Sequence, residues 1–257
     1  MLRSLKNLEQ YTVSATDGDI GKVVNFLFDD QRWTVRYLVA DTSGFIDGRT
    51  VLISPISFRE ANWSTHKFHL ALSREKVKNS PGIDVDMPVS RQHERDYYKY
   101  YEYPDYWGYA GLWGMGAYPG LLSSGKLEKE PAPNSDQTPG DSHLRSVEEV
   151  RGYHVQASDA AIGHIDDLVV DDQTWQVRYL VVDTRNWGFG KKVLVAPHWA
   201  SRFSWEERKV HVDLTQQAIR SGPEWNATVA TINREYETRL HDHLGRPGYW
   251  TGESRPQ

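Results

Sequence analysis

The chain repeats itself. Residues 2–81 align without a gap onto residues 144–223 at a constant offset of 142, and 29 of the 80 aligned positions are identical. The densest stretch is Ile20 to Thr42 (IGKVVNFLFDDQRWTVRYLVADT) against Ile162 to Thr184 (IGHIDDLVVDDQTWQVRYLVVDT), where 13 of 23 positions agree. Self-similarity on this scale means that one structural unit is built twice, so any fold proposed for one half must serve the other. Weaker likeness continues further on, where RQHERDYYKYYEYPDYW (Arg91–Trp107) parallels REYETRLHDHLGRPGYW (Arg234–Trp250) after a one-residue shift. The expected organisation is one repeat with C-terminal helices over residues 1–108, a second over 144–251, and a different segment over 109–143. Each repeat has an ordinary domain size.

The segment around that junction has its own character. Residues 97–118 hold eight of the 14 tyrosines, with Trp107, Trp113 and several glycines. Ser123 to Ser142 (SSGKLEKEPAPNSDQTPGDS) is rich in Pro, Ser, Gly and charge, which cannot support a core, and reads as a flexible linker.

Within one repeat, Val23–Phe28 is an apolar run and Thr34–Val39 alternates, with Val35, Tyr37 and Val39 on one side and Arg36 opposite; both patterns are those of strands. Asp29-Asp30-Gln31-Arg32-Trp33, matched by Asp171-Asp172-Gln173-Thr174-Trp175, joins them, because short aspartate side chains bond nearby backbone amides and favour turns. Val51–Ile53 and Val193–Val195 run up to Pro55 and Pro197, and proline ends ladder donation. Asp47-Gly48 and Gly188-Phe189-Gly190 supply turns ahead of them. Trp63–Leu70 and Trp205–Val212 read as a last strand, and Tyr11–Val13 as an opening one. Ser73–Lys78 and Thr215–Arg220 begin with N-capping residues and read as short helices. Ser90–Tyr103 and Thr231–Leu244 lack Pro and Gly and read as longer ones. The fold class expected is mainly β with a few helices: two tandem small antiparallel β-barrels related by the repeat, closed so that no edge is exposed.

The motif I-G-x-(I/V), the Asp-Asp turn before Trp, the R-Y-L-V-(A/V)-D-T strand and the V-L-(I/V)-(S/A)-P strand together resemble the PRC-barrel family. That family is named for the cytoplasmic domain of the photosynthetic reaction centre H subunit and includes the C-terminal domain of a ribosome maturation factor. The likeness covers roughly residues 5–80 and 147–222. It implies small barrels used for protein contacts in electron-transfer or ribosome assemblies. The implied role is a non-enzymatic interaction or assembly module, an accessory of a membrane electron-transfer complex by analogy with the H subunit, with ribosome or RNA-processing work as an alternative. Fold analogy alone does not fix function.

Composition narrows the rest. There is no cysteine among 257 residues, so disulfides, thiolate metal sites and a cysteine nucleophile are excluded, in keeping with a reducing, cytoplasmic setting. No stretch approaches the roughly 20 apolar residues of a membrane span, and the opening MLRSLKNLEQYTV has no apolar targeting core. A net charge of -5 argues against a nucleic-acid surface, which would be basic. Partners expected are therefore proteins or a second copy, as a homodimer or as intrachain pairing of barrels, with peripheral membrane association in view and no small-molecule substrate or cofactor.

The recurring acidic residues are Asp29, Asp30 and Asp41 with their counterparts Asp171, Asp172 and Asp183. They suit hairpin turns better than a hard cation, since no loop supplies closely spaced oxygens in the number Ca²⁺ requires. Arg36 and Arg178 are expected to form surface ion pairs, Arg36 with Asp41 or Asp30. His241-Asp242-His243 does not share a helix face, His66 and His69 lie three apart in an expected strand, and no zinc site is expected. His69 and His211 recur and are expected to be solvated or capped. No G-x-S-x-G, H-E-x-x-H or phosphate-binding loop is present. The enzymatic alternative is a hydrolase or redox site between the barrels using Asp41 and Asp183. Tyr97, Tyr100, Tyr103, Trp107, Tyr109, Trp113 and Tyr118 are the candidate interaction residues, because aromatics concentrate at interfaces; a segment folded back over the barrels is the competing reading.

Overall fold

The structure is a computed structural model of the whole chain. It describes residues 1–45, 48–82, 89–107, 109–120, 143–185, 190–225 and 232–251; the expected linker and the turns at Asp47 and Gly188-Phe189 lie outside these. The chain forms two compact units that do not coincide with the repeats. An N-terminal unit comprises Leu5–Glu148 with Asp172–Gln176, and a C-terminal unit comprises Met1–Ser4, Glu149–Asp171 and Val177–Gln257.

The N-terminal unit contains α1 (Leu5–Leu8), β2 (Thr12–Ala15), β3 (Gly18–Asp29), β4 (Thr34–Asp41), β5 (Thr50–Ile53), β6 (Phe58–Asn62), β7 (Lys67–Leu70), α2 (Arg74–Lys78) and α3 (Arg91–Tyr101). Its sheet runs β5-β4-β3-β2-β7-β6, with β8 (Leu144–Ser146) on β3 off this path. The C-terminal unit repeats the design with α4 (Val147–Val150) preceding β9 (His154–Gln156), β10 (Ala161–Asp171), β11 (Val177–Asp183), β12 (Lys192–Val195), β13 (Ala200–Ser204), β14 (Lys209–Val212), α5 (Gln216–Ser221) and α6 (Arg234–Leu244). Its order is β12-β11-β10-β9-β14-β13, with β1 (Leu2–Ser4) on β10. A short 3₁₀ turn, Pro55–Ser57 or Pro197–Trp199, links the outer strands of each sheet.

Two expectations are corrected. The sheets have seven strands each and are not closed into barrels. Nor are they wholly antiparallel: β2 pairs parallel with β7, and β14 with β9. The excursion through β3 to β6 is long enough to bring β7 back in the direction of β2, as a parallel pair requires. Trp63 to His66 is a turn rather than strand, His66 taking φ 55°. Two helices start where the caps predict, the Ser73 and Thr215 hydroxyls accepting from the backbone amides of Lys76 and Ala218, and the Ser90 hydroxyl caps α3 in the same way by accepting from His93.

Bulges recur with the repeat. In the β3–β4 ladder Leu27 faces Tyr37 and Phe28 faces Val35, so Arg36 is the extra residue; in β10–β11 Val169 faces Tyr179 and Val170 faces Val177, leaving Arg178. A bulge re-aims the side chain it carries. In each hairpin turn the tryptophan takes a left-handed backbone, φ 51° at Trp33 and 59° at Trp175. Such a φ is costly for a bulky residue, and packing offsets it: Trp33 stacks on Phe28 at 5.0 Å, and Trp175 meets Phe58 edge-on at 5.4 Å.

Candidate functional site

The bulge at Arg36 sets up the most connected polar cluster of the N-terminal unit. Strand β4 is buried on both faces, so a charged residue on it must find partners inside. Arg36 is fully buried; one guanidinium nitrogen pairs with Asp29 at 2.9 Å, another donates to the Leu112 carbonyl at 2.6 Å, and the plane lies 3.8 Å from the Tyr106 ring centre. Next to it, Tyr37 donates to Oε1 of Glu94 on α3 at 3.0 Å, Tyr106 donates to the same oxygen at 2.7 Å, and Arg91 donates to Oε2 at 2.7 Å. Burial raises the Glu94 carboxyl to about 7, against the opposing pull of Arg91 and the two tyrosines. The same burial, with Glu94 beside it, pushes the Tyr37 hydroxyl up.

The C-terminal unit repeats the cluster. Tyr179 donates to Glu237 Oε1 at 2.9 Å, Tyr249 to the same oxygen at 2.9 Å, and Arg234 pairs with Oε2 at 3.2 Å. Arg178 lies 3.9 Å from the Tyr249 ring centre. His241 stands where repeat one has Tyr98. Its Nδ1 is 3.0 Å from the Pro247 carbonyl, which can only accept, so Nδ1 carries the proton; Nε2 is 3.0 Å from the Tyr179 hydroxyl. Burial lowers its pKa. In both units the arrangement fastens a C-terminal helix to the central strand. Sequence reasoning missed these glutamates, although Arg91…Glu94 and Arg234…Glu237 stand identically spaced in the aligned tails.

The remaining candidates fall into place around this. Asp29 Oδ1 accepts from the backbone amides of Gln31 and Arg32, as a turn aspartate does. Asp30 accepts from Arg145 at 2.7 Å and lies 3.3 Å from His143. Asp41 accepts from Ser43 N, and Asp183 from Arg185 N and its guanidinium, which lowers the Asp183 carboxyl to about 2. Asp171 ends β10 in register with Leu2, and Asp172 belongs to the N-terminal unit. The expected surface pair of Arg36 with Asp41 or Asp30 is therefore corrected: the bulge turns Arg36 inward to Asp29.

The aromatic segment folds back. Tyr97, Trp107 and Trp113 are buried, Tyr100, Tyr103 and Tyr109 are half-buried, and only Tyr118 among them is exposed. Tyr97 accepts from Ser54 N and donates to the Leu52 carbonyl, Tyr103 bonds Ser57, and Tyr100 donates to the Lys76 carbonyl. Trp113 donates to the Thr174 carbonyl at 2.8 Å, while Arg32 donates to the carbonyls of Tyr109 and Gly111. The loop covers Arg36 because Gly111 and Gly114 allow close backbone contact; a Cβ at Gly111 would stand 2.5 Å from the Gly114 carbonyl.

One open cleft of about 580 Å³ lies in the C-terminal unit, lined by Ser221, Pro223, Glu224, Tyr236, Arg239 and His243. Ser221 Oγ is 3.2 Å from His243 Nε2, the spacing of a nucleophile and its base. Yet Nε2 is also 2.9 Å from the Ala218 carbonyl, so it bears a proton and cannot take one from the serine in this arrangement. Among the described residues no group of His, Asp or Glu is placed to hold a metal, and no helix is long and apolar enough to cross a membrane.

Comparison with curated proteins finds no match. Residues 143–218, from the residue before β8 into α5, match the model of the PRC-barrel domain family.

Proposed function

We propose that the chain is a non-enzymatic protein-interaction module made of two PRC-type units, acting as an assembly accessory rather than on a small molecule. PRC-barrel domains are in general non-catalytic, and the family model covers the second repeat. Extension to the first repeat is supported by the shared strand order, bulges and Tyr–Glu–Arg cluster. The observation that carries the reading is that the groups a catalytic site would use, Glu94, Tyr37, Arg36 and Arg91, are occupied with one another inside the N-terminal unit, and that Glu237 and Tyr179 are buried and bonded to each other in the C-terminal one. What remains for a partner is the outer surface.

The test is quantitative crosslinking of the full chain in native extract. A single protein should be captured reproducibly and displaced by excess unlabelled chain. Chemical conversion of a small molecule that also raises the melting temperature would overturn the reading. The setting suggested by the H-subunit resemblance is a membrane electron-transfer assembly; sedimentation with membranes that is lost in high salt supports that setting, and partition into the soluble fraction at low salt contradicts it.

A further inference from the structure

Strands β1 and β8 each sit on the other repeat's sheet. By repeat logic Leu2-Arg3-Ser4 belongs with β3 and Leu144-Arg145-Ser146 with β10, yet β1 pairs with β10 and β8 with β3. The two donors are identical in sequence. Their registers are identical too: Leu2 faces Asp171 and Ser4 faces Val169, as Leu144 faces Asp29 and Ser146 faces Leu27, each acceptor displaced by the repeat offset of 142. The serine contact recurs as well. Ser4 donates to Asp167, and Ser146 accepts at 2.8 Å from Asn25, the residue equivalent to Asp167.

The cause lies in the connection. Strand β1 ends at Ser4 and α1 begins at Leu5; β8 ends at Ser146 and α4 begins at Val147. With no residue between strand and helix there is no turn by which the strand folds back onto its own repeat, and short hinges of this kind favour exchange. Each repeat therefore donates its first strand and needs one from elsewhere. Both edges already take a Leu-Arg-Ser strand from the other repeat, so neither has a means of refusing the same strand from another molecule.

We propose that the β10 edge is a strand-acceptor site for the Met1–Ser4 segment of a second copy, giving a swapped dimer in which each C-terminal unit is completed by its partner. The contacts in cis and in trans are the same, so protein concentration against the effective concentration set by the chain's own connection decides the balance. This holds whether or not the chain also binds a different protein.

The absence of native cysteine makes the test clean. A chain carrying Leu2→Cys is mixed with one carrying Asp171→Cys, unfolded and refolded together at graded concentrations, oxidised, and mapped by mass spectrometry. The expected product is a covalent heterodimer linked between positions 2 and 171, rising with concentration and absent from high dilution. The double variant, Leu2→Cys with Asp171→Cys in one chain, should close on itself at high dilution. A mixture that stays monomeric while the double variant closes would overturn donation in trans. A double variant that fails to close would overturn the register on which the proposal stands.

Discussion

The hydroxyl of Tyr37 donates to Glu94 across 3.0 Å, and neither group reaches solvent. One bond thus joins the central strand of the N-terminal unit to its C-terminal helix, and Tyr179 repeats it to Glu237 at 2.9 Å. Hydrogen bonds to charged groups contribute about 1.5–3 kcal/mol. Tyr37→Phe should lower unfolding free energy by about that amount, and Glu94→Ala by about 3–5 kcal/mol, because it leaves Arg91 without its buried anion. Urea titration followed by tryptophan fluorescence reads both; a change within about 0.5 kcal/mol for either would show that α3 is held by other means.

The carboxyl of Glu94 should give stability a pH dependence of its own. Its pKa is raised to about 7 in the folded chain from an ordinary value of 4.5. The folded state therefore holds the extra proton between those values, and the stabilisation it brings is full below about 4.5 and lost as pH rises through 7. Glutamine cannot titrate, so wild type should lose stability relative to Glu94→Gln between pH 5 and pH 8. Parallel stability curves would contradict a raised pKa.

Two glycines permit the close approach of strands that the I-G motif encodes. A Cβ at Gly21 would lie 2.2 Å from the Asp41 carbonyl, and one at Gly163, where φ is +152°, 2.0 Å from that of Asp183. Backbone cannot yield cheaply there, so Gly21→Ala and Gly163→Ala should each cost at least about 3 kcal/mol by thermal or urea unfolding. Wild-type melting behaviour in either variant would refute the geometry.

Trp113 tests whether the aromatic segment is cover or bait. Buried over Arg36 and bonded to Thr174, it should cost about 3–5 kcal/mol as Trp113→Ala and open residues 109–120 to limited proteolysis. Unchanged stability and cleavage would favour a docking role for the segment instead.

Much of each unit was legible in the sequence because its determinants are local. Asp29 starts a turn, and Ser73 and Thr215 cap helices, using bonds to residues two or three positions away, so their spacing is enough. The donated strands were not legible: three residues carry no periodicity, and their partners lie on the other repeat. The bulges escaped for a different reason, since one extra residue at Arg36 or Arg178 changes a side chain's direction without disturbing the apolar pattern. Tyr97, Trp107 and Trp113 read as an interface because core and interface draw on the same aromatics. The identical spacing of Arg91 and Glu94 to that of Arg234 and Glu237 was the signal that pointed inward.

That the duplicated polar groups hold each unit together, and are not held in reserve for chemistry, is tested most directly by a double-mutant cycle. Unfolding free energies of wild type, Tyr37→Phe, Glu94→Gln and the double variant give the coupling between strand and helix, and Tyr179→Phe with Glu237→Gln gives it for the second unit. Couplings of about 1–3 kcal/mol in both units are expected. Additive effects in either unit, with no coupling beyond error, would contradict the shared design.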